Sequence, residues 1–167
     1  KLGFIIERKD DVAEDIISNI SRANGIAFEI FYQGEPKGTA HAIYSARKML
    51  KGPTLIAFAD TVFKSPKIFD IKSDSCLFVS EVTDPSSYGV VVTNIDGSIN
   101  RFVEKPDKPI SNLALVGVYY FKEGEILSQE IEIILKNNVL CSGEYQLTTA
   151  LENLRSKNLR FTTHKIN

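Results

Sequence analysis

Asp60 closes the apolar run "TLIAFA" at residues 54–59. Open parallel sheets bind ligands outside the carboxyl ends of their strands, so a carboxylate at that place faces the expected crevice. A hard cation such as magnesium is held by oxygens of this kind, commonly one or two carboxylates together with substrate phosphates. A helix cap or a loop salt bridge is the plainer use of the same residue. Earlier, "FYQGEPKGTAHAIYSAR" (residues 31–47) joins a strand to a helix through Gln33, Gly38 and Thr39. A glycine before a helix lets backbone approach a flat ligand, and Thr39 suits an N-cap. First-turn amides attract anions or carbonyl oxygens, although most Gly-Thr helix starts are caps and nothing more. Gln33 adds a carboxamide, which offers a donor and an acceptor together, as reading a nucleobase edge requires. In "FVEKPDKP", Glu104 and Lys105 end a strand that Pro106 forbids to continue. An acid and a base there can hydrogen-bond sugar hydroxyls and neutralise a phosphate; a surface ion pair is the bland alternative. His41, on a helix, has no second ligand at helical spacing and reads as a packing or capping residue, and His164 lies near the end of the chain. Neither a His/Cys metal cluster nor a Ser-His-Asp set can be assembled.

The elements that must position these residues alternate in period. "LGFII", "IAFEIFYQ" and "TLIAFAD" read as strands, apolar enough for a covered parallel sheet. Between them, "DDVAEDIISNISRANG" places Val12, Ile16 and Ile20 on one helical face with Ala13 and Ile17 beside them. Asp11 and Glu14 form a variant capping box, and Asn24-Gly25 a stop. "TAHAIYSARKML" sets Ala42, Ala46 and Met49 along a second helix that Gly52-Pro53 ends. The β-α-β-α-β order predicts right-handed crossovers. The pattern turns antiparallel in the second half, where "YGVVVTN" and "INRFVEK" flank a hairpin turn at residues 95–98. "LALVGVYYFK" is another apolar strand. Leu127, Ile131, Ile134 and Leu135 mark a third helix; Leu147, Ala150, Leu151 and Leu154 mark a fourth. The class is α/β with a mixed sheet.

The 167 residues, 43% of them hydrophobic, suffice for one core and predict one domain over 1–167. A net charge of -1 makes no case for nucleic acid or an anionic membrane as partner. Apolar runs stay far below the ~20 residues of a membrane span. Cys76 and Cys141 lack C-x-x-C partners and read as buried free thiols in a reducing compartment, so a cytoplasmic location is the expectation.

In register along the chain stand "Q-x-x-P-x-G-T-A-H-A", a strand ending in aspartate, "YGVV…DG…FVEKP", "GVYYF" and "GEYQLT". From about residue 27 onward this order resembles the sugar-1-phosphate nucleotidyltransferases. The resemblance implies a Rossmann-like three-layer α/β/α fold with a mixed, mostly parallel central sheet, truncated here at both ends. It implies formation of a nucleotide-diphosphate sugar and pyrophosphate from a nucleoside triphosphate and a hexose 1-phosphate, with Mg2+ as cofactor. Residue by residue, Gln33, Gly38 and Thr39 would contact the base, and Asp60 would be a magnesium ligand. Gly89 and Tyr119 would lie against the sugar, Glu104 would bind its hydroxyls or those of the ribose, and Lys105 would hold the sugar phosphate. Asp60 and Lys105 are then the catalytic pair. Family members often assemble, so a homo-oligomer is an open expectation.

Several departures qualify the resemblance. The family's glycine-rich loop with arginine, followed by Lys-Pro, does not occur in these residues, nor does a second aspartate after "RFTTHKI". The chain is therefore expected to be a partial catalytic domain, inactive alone. Ser142 stands where thymidylyltransferase-like members have arginine. Leu115-Val116 replaces the Asn-Thr of acetamido-sugar members, and Thr149 stands where many relatives have aspartate. A non-catalytic nucleotide- or sugar-phosphate-binding relative is the alternative. A glycosyltransferase would show Asp-x-Asp where this chain has Asp60-Thr61-Val62.

Overall fold

The computed structural model describes residues 1–7, 10–60 and 73–166; Thr61, Val62 and Asn167 lie outside them. β1 (Leu2–Ile6) and β2 (Phe28–Tyr32) are a parallel pair, with Leu2 opposite Phe28 and Ile6 opposite Tyr32. Between them runs α1 (Asp11–Ala23). Its cap lies one residue earlier than the capping-box expectation: the Asp10 carboxylate accepts the Ala13 N–H at 2.8 Å, while Glu14 accepts the Tyr32 hydroxyl at 2.8 Å. The face of Val12, Ile16 and Ile20 is exposed (70%, 53% and 58%). α1 instead seats through buried Ser21 and half-buried Ala13 and Ile17.

α2 (Thr39–Ser45) breaks at Ala46 into a single 3-10 turn, Arg47–Met49. Its core face is Ala40, Ile43, Ala46 and Leu50, all buried; Ala46 is there as expected, whereas Ala42 and Met49 are only half-buried. Ala42 lies two positions from Ala40, almost opposite it round a 3.6-residue turn, and the break after Ser45 shifts the later phase.

Six strands form the larger sheet: β3 (Thr54–Ala57), β4 (Ser75–Glu81), β5 (Gly89–Thr93), β6 (Ile99–Glu104), β7 (Leu113–Phe121) and β8 (Phe161–Lys165). The order is β6-β5-β7-β4-β8, with β3 also on β7. β7 is the axis. One edge pairs with β4 along its length; the other takes β5 at Ala114 and β3 at Val118 to Phe121. β3, β4, β5 and β8 all run against β7. These four strands share one direction. Among the described residues, however, four of the six ladders are antiparallel, because β7 runs between strands of opposite sense and β6 turns back on β5 in a hairpin, which corrects the expectation of a mostly parallel sheet. Among the same residues β3 pairs with β7 and not with β1 or β2, which corrects the expectation of one sheet for the first three strands. β4, "SCLFVSE", is a strand that sequence reasoning missed, because its short apolar run shows no alternation.

α3 (Gly124–Lys136) and α4 (Leu147–Ser156) cover this sheet with the residues their spacing predicts. Leu127, Ile131, Ile134, Leu147, Ala150, Leu151 and Leu154 are buried, and Leu135 packs at the margin. Buried Glu130 on α3 pairs with Lys157 and accepts the Asn153 side-chain amide at 2.8 Å, so α3 and α4 are tied by a satisfied charge. Glu152 on α4 accepts the Phe102 N–H of edge strand β6 at 2.9 Å. Phe161 meets Phe102 and Phe121 edge-to-face at 5.2 and 6.3 Å between ring centres. Cys76 is buried and Cys141 half-buried, and both are thiols rather than disulfide halves. Among the described residues no helix is long and apolar enough to cross a membrane.

Phe161 is 1% exposed, at the junction of β8 with both halves of the larger sheet. Phe161→Ala should cost about 3–5 kcal/mol of unfolding free energy, read from urea midpoints at unchanged m-value.

Candidate active site

A cavity of about 380 Å³ opens where β3 and β5 diverge along one edge of β7, and the start of α4 covers it. Asp60, Gly89, Glu104 and Tyr119 line it together with Thr39. Four separate motifs thus meet in one space. The hairpin puts Gly89 directly opposite Glu104, so the glycine and the acid share one rung of the sheet. A Cβ on Gly89 would stand 2.8 Å from the Thr148 methyl and 3.1 Å from Glu104 Oε2. The cavity wall there leaves no room for a side chain.

Thr148 is a wall residue that sequence reasoning missed, although it stands in "GEYQLT". Its hydroxyl donates to Glu104 Oε2 at 2.7 Å, and with Glu152 on the same helix holding β6, α4 sets where the Glu104 carboxylate lies. Gln146, buried, also lines the cavity; its amide donates to Glu144 and its oxygen accepts from Thr39. The periodicity of α4 accounts for Leu147 and Ala150 and gives no signal for either polar residue.

The helix-start residues do something other than the sequence suggests. Gly38, with φ +108, is the N-cap of α2, and Thr39 is its first helical residue. The Thr39 hydroxyl accepts the Leu147 N–H at 2.9 Å, so it caps α4 rather than its own helix. Gly38 is required by protein: a Cβ would sit 2.6 Å from the Tyr145 carbonyl oxygen and 2.9 Å from its nitrogen. Around it the Tyr145 N–H donates to Lys37 O and the Ala40 N–H to Tyr145 O, each at 2.9 Å. The Ala40 amide is therefore engaged within the protein.

Gln33 and Lys105 are not in the walls of the main cavity. Gln33 lines a smaller one, about 130 Å³, with Glu7, Gly34, Glu35 and Pro36. Its side-chain nitrogen donates to the Gly38 carbonyl at 3.1 Å. Lys105 is exposed, with a left-handed backbone (φ +40) held by its N–H to the Tyr88 carbonyl at 3.0 Å. A non-glycine residue in that region stores strain, which is more common at ligand sites than elsewhere.

Burial raises the Tyr119 phenol well above its ordinary value, and the nearby carboxylates of Glu104 and Asp60 raise it further. Phe58 packs on the same ring at 5.5 Å. The cavity thus combines an aromatic floor with two acids. Among the described residues no group of three His, Cys, Asp or Glu side chains could hold a metal unaided. Asp60 suits a hard cation as one oxygen ligand in a set that substrate phosphates complete, which is how magnesium is often bound.

This α/β fold is that of a UDP-glucose pyrophosphorylase solved in complex with UDP-glucose, at TM-score 0.76 and 21% identity, covering 100% of this chain and 73% of that one. The family model described as nucleotidyl transferase matches residues 3–158, and the chain belongs to that family. It is similar to the bifunctional protein GlmU of Methanocaldococcus jannaschii, 28% identical over 162 residues, covering 92% of this chain and 38% of that protein. It is also similar to the UTP–glucose-1-phosphate uridylyltransferase AglF of Haloferax volcanii, 29% identical over 137 residues, covering 77% of this chain and 54% of that protein. The chain thus spans about two-fifths to one-half of these relatives' lengths.

Gly38→Ala meets both a left-handed backbone and the Tyr145 carbonyl, and should cost about 2–4 kcal/mol by chemical denaturation. Gly34→Ala, with a φ of +77 but no described atom within 4 Å of its Cβ, should cost only about 1–2 kcal/mol. For Tyr119, the raised phenol means the native state keeps a proton that the unfolded chain loses above about pH 10. Stability conferred by the neutral phenol is complete below that pH and declines above it, at up to about 1.4 kcal/mol per pH unit. Tyr119→Phe should flatten the decline between about pH 10 and 11, measured by urea unfolding.

Proposed function

We propose that this chain is a partial catalytic domain of a magnesium-dependent sugar-1-phosphate nucleotidyltransferase. The enzyme joins a nucleoside triphosphate and a hexose 1-phosphate into a nucleotide-diphosphate sugar. The observation that carries the reading is the cavity shared by Asp60, Gly89, Glu104 and Tyr119, residues from three motifs dispersed along the chain. A sugar phosphate needs a hydroxyl-binding carboxylate, a flat wall and a nearby cation, and Glu104, the Gly89–Tyr119 wall and Lys105 answer those needs.

An oxygen of the sugar phosphate attacks the α-phosphorus in line, the bond from that phosphorus to the bridging oxygen breaks, and pyrophosphate leaves with the electron pair. Little covalent work falls to the protein, so positioning and charge neutralisation dominate. In this reading Glu104, oriented by Thr148, takes sugar hydroxyls, and Lys105 neutralises the sugar phosphate. Gln33 and the Gly38-Thr39 backbone meet the base. Asp60 would hold Mg2+, whose charge offsets that of the triphosphate. The two thiols suit a cytoplasmic setting. The balanced charge favours small-molecule partners over nucleic acid or membrane, and self-association is compatible with the fold.

The test pairs each nucleoside triphosphate with several hexose 1-phosphates and magnesium, and measures pyrophosphate release by this chain and by the whole product of its gene. At least one pair should react with the whole product, with this chain alone inactive. Asp60→Asn in the whole product should lower kcat by about 100-fold or more, the loss expected for a positioned charge in the transition state. Absence of release with every pair, or full activity of the Asp60 variant, overturns the proposal.

A further inference from the structure

We infer that His41 is a positioning residue for nucleobase selection: it locks the Gln33 carboxamide with its nitrogen turned inward, so that the base meets only its oxygen. The inference rests on the reading of Gln33 as the residue that meets the base.

The surroundings of the Gln33 amide are asymmetric in a way that needs no proton to be seen. Gln33 Nε2 lies 3.1 Å from the Gly38 carbonyl oxygen, and a carbonyl can only accept. The group turned toward it is therefore the NH2; the opposite amide orientation would set two oxygens against each other. The same nitrogen lies 3.4 Å from His41 Nδ1. The neutral ring can accept there when its proton is on Nε2, and both amide hydrogens are then used inside the protein. Among the described residues Oε1 is the polar atom left over, an acceptor only. The base opposite Gln33 must consequently present an N–H.

Both partners are held independently of any ligand. The Gln33 backbone N–H donates to Ile6 O at 3.1 Å, which keeps the residue at the end of the β1–β2 pair. His41 is on α2, two residues after the start anchored by Gly38, and its ring stacks at 28° on Tyr145, 6.4 Å between centres. The Tyr145 hydroxyl donates to Asn138 at 2.6 Å, and its backbone is bonded to Lys37 and Ala40. An amide free to turn over can offer donor or acceptor to any base and so discriminates poorly. An amide fixed one way leaves an unpaired polar atom against the wrong base, which is the costlier mismatch.

The experiment measures dissociation constants of the whole product of this chain's gene for UTP, dTTP, GTP, CTP and ATP by calorimetry, for the unaltered protein, Gln33→Ala, His41→Leu and His41→Asn. It adds ¹⁵N spectra of the two histidines and of the Gln33 side-chain amide. The unaltered protein should separate its best from its worst nucleotide by about tenfold or more. Gln33→Ala and His41→Leu should compress that ratio below about threefold, whereas His41→Asn, whose side-chain oxygen replaces Nδ1 as acceptor, should keep most of it. The His41 Nδ1 signal should be that of an acceptor without its proton, and His41→Leu should shift the Gln33 amide signal while His41→Asn shifts it less. If Gln33→Ala compresses the ratio and His41→Leu does not, or if Nδ1 carries the proton, the inference falls and the base-reading role stands. If Gln33→Ala leaves the ratio intact, or no nucleotide binds, the base-reading role falls and the inference with it.

Discussion

The structure depends most on a short exchange of hydrogen bonds between residues 37–40 and 145–147. Lys37 O accepts from Tyr145, Ala40 donates to Tyr145 O, and Thr39 Oγ1 accepts from Leu147. These bonds join segments more than a hundred residues apart and start both α2 and α4. They require backbone-to-backbone approach at Gly38, closer than any side chain allows. Thr39 satisfies one of the orphan amides at the N-terminus of α4, and a cap supplied from another helix fixes the distance between the two as well as their starts.

Much of the site's geometry descends from that junction. With the start of α4 anchored, Thr148 reaches the Glu104 carboxylate and Glu152 reaches the backbone of β6, so the acid is held from two directions. β7 supplies the other constraint. It carries β5 on the first part of one edge and β3 on the last part, and the divergence of those two strands leaves the cavity between them. The Phe58 N–H donates to Gly117 O at 2.8 Å just where β3 leaves, which puts Asp60 two residues later at the cavity mouth.

Sequence motifs and spatial roles coincide here only in part. Asp60, Gly89, Glu104 and Tyr119 were recognisable because their motifs occur in order, and the fold assembles them in one cavity. Gly38 and Thr39 were recognisable as important, but local reasoning assigns them to their own helix, whereas their partners lie in the 145–147 segment. Thr148 carried no local signal, since a threonine in the first turn of a helix is ordinary until an acid is found 2.7 Å away. The face of α1 shows the limit from the other side. Its spacing predicts an apolar stripe correctly, but not that Val12, Ile16 and Ile20 remain exposed while Ser21 is buried.

Sequence alone determined what short-range physics controls: the periods of α3 and α4, the turn between β5 and β6, the α/β class, and the family to which the motifs belong. Helical and strand periodicities are local, so the burial of Leu127, Ile131, Leu151 and Leu154 could be read from spacing. Tertiary structure decided which strands pair with β7, why Gly38 can have no side chain, and which end of the Gln33 amide turns inward. Each of these depends on a partner far away in the chain or across a turn, and hydrogen-bond direction and steric exclusion acquire meaning only once that partner is in place.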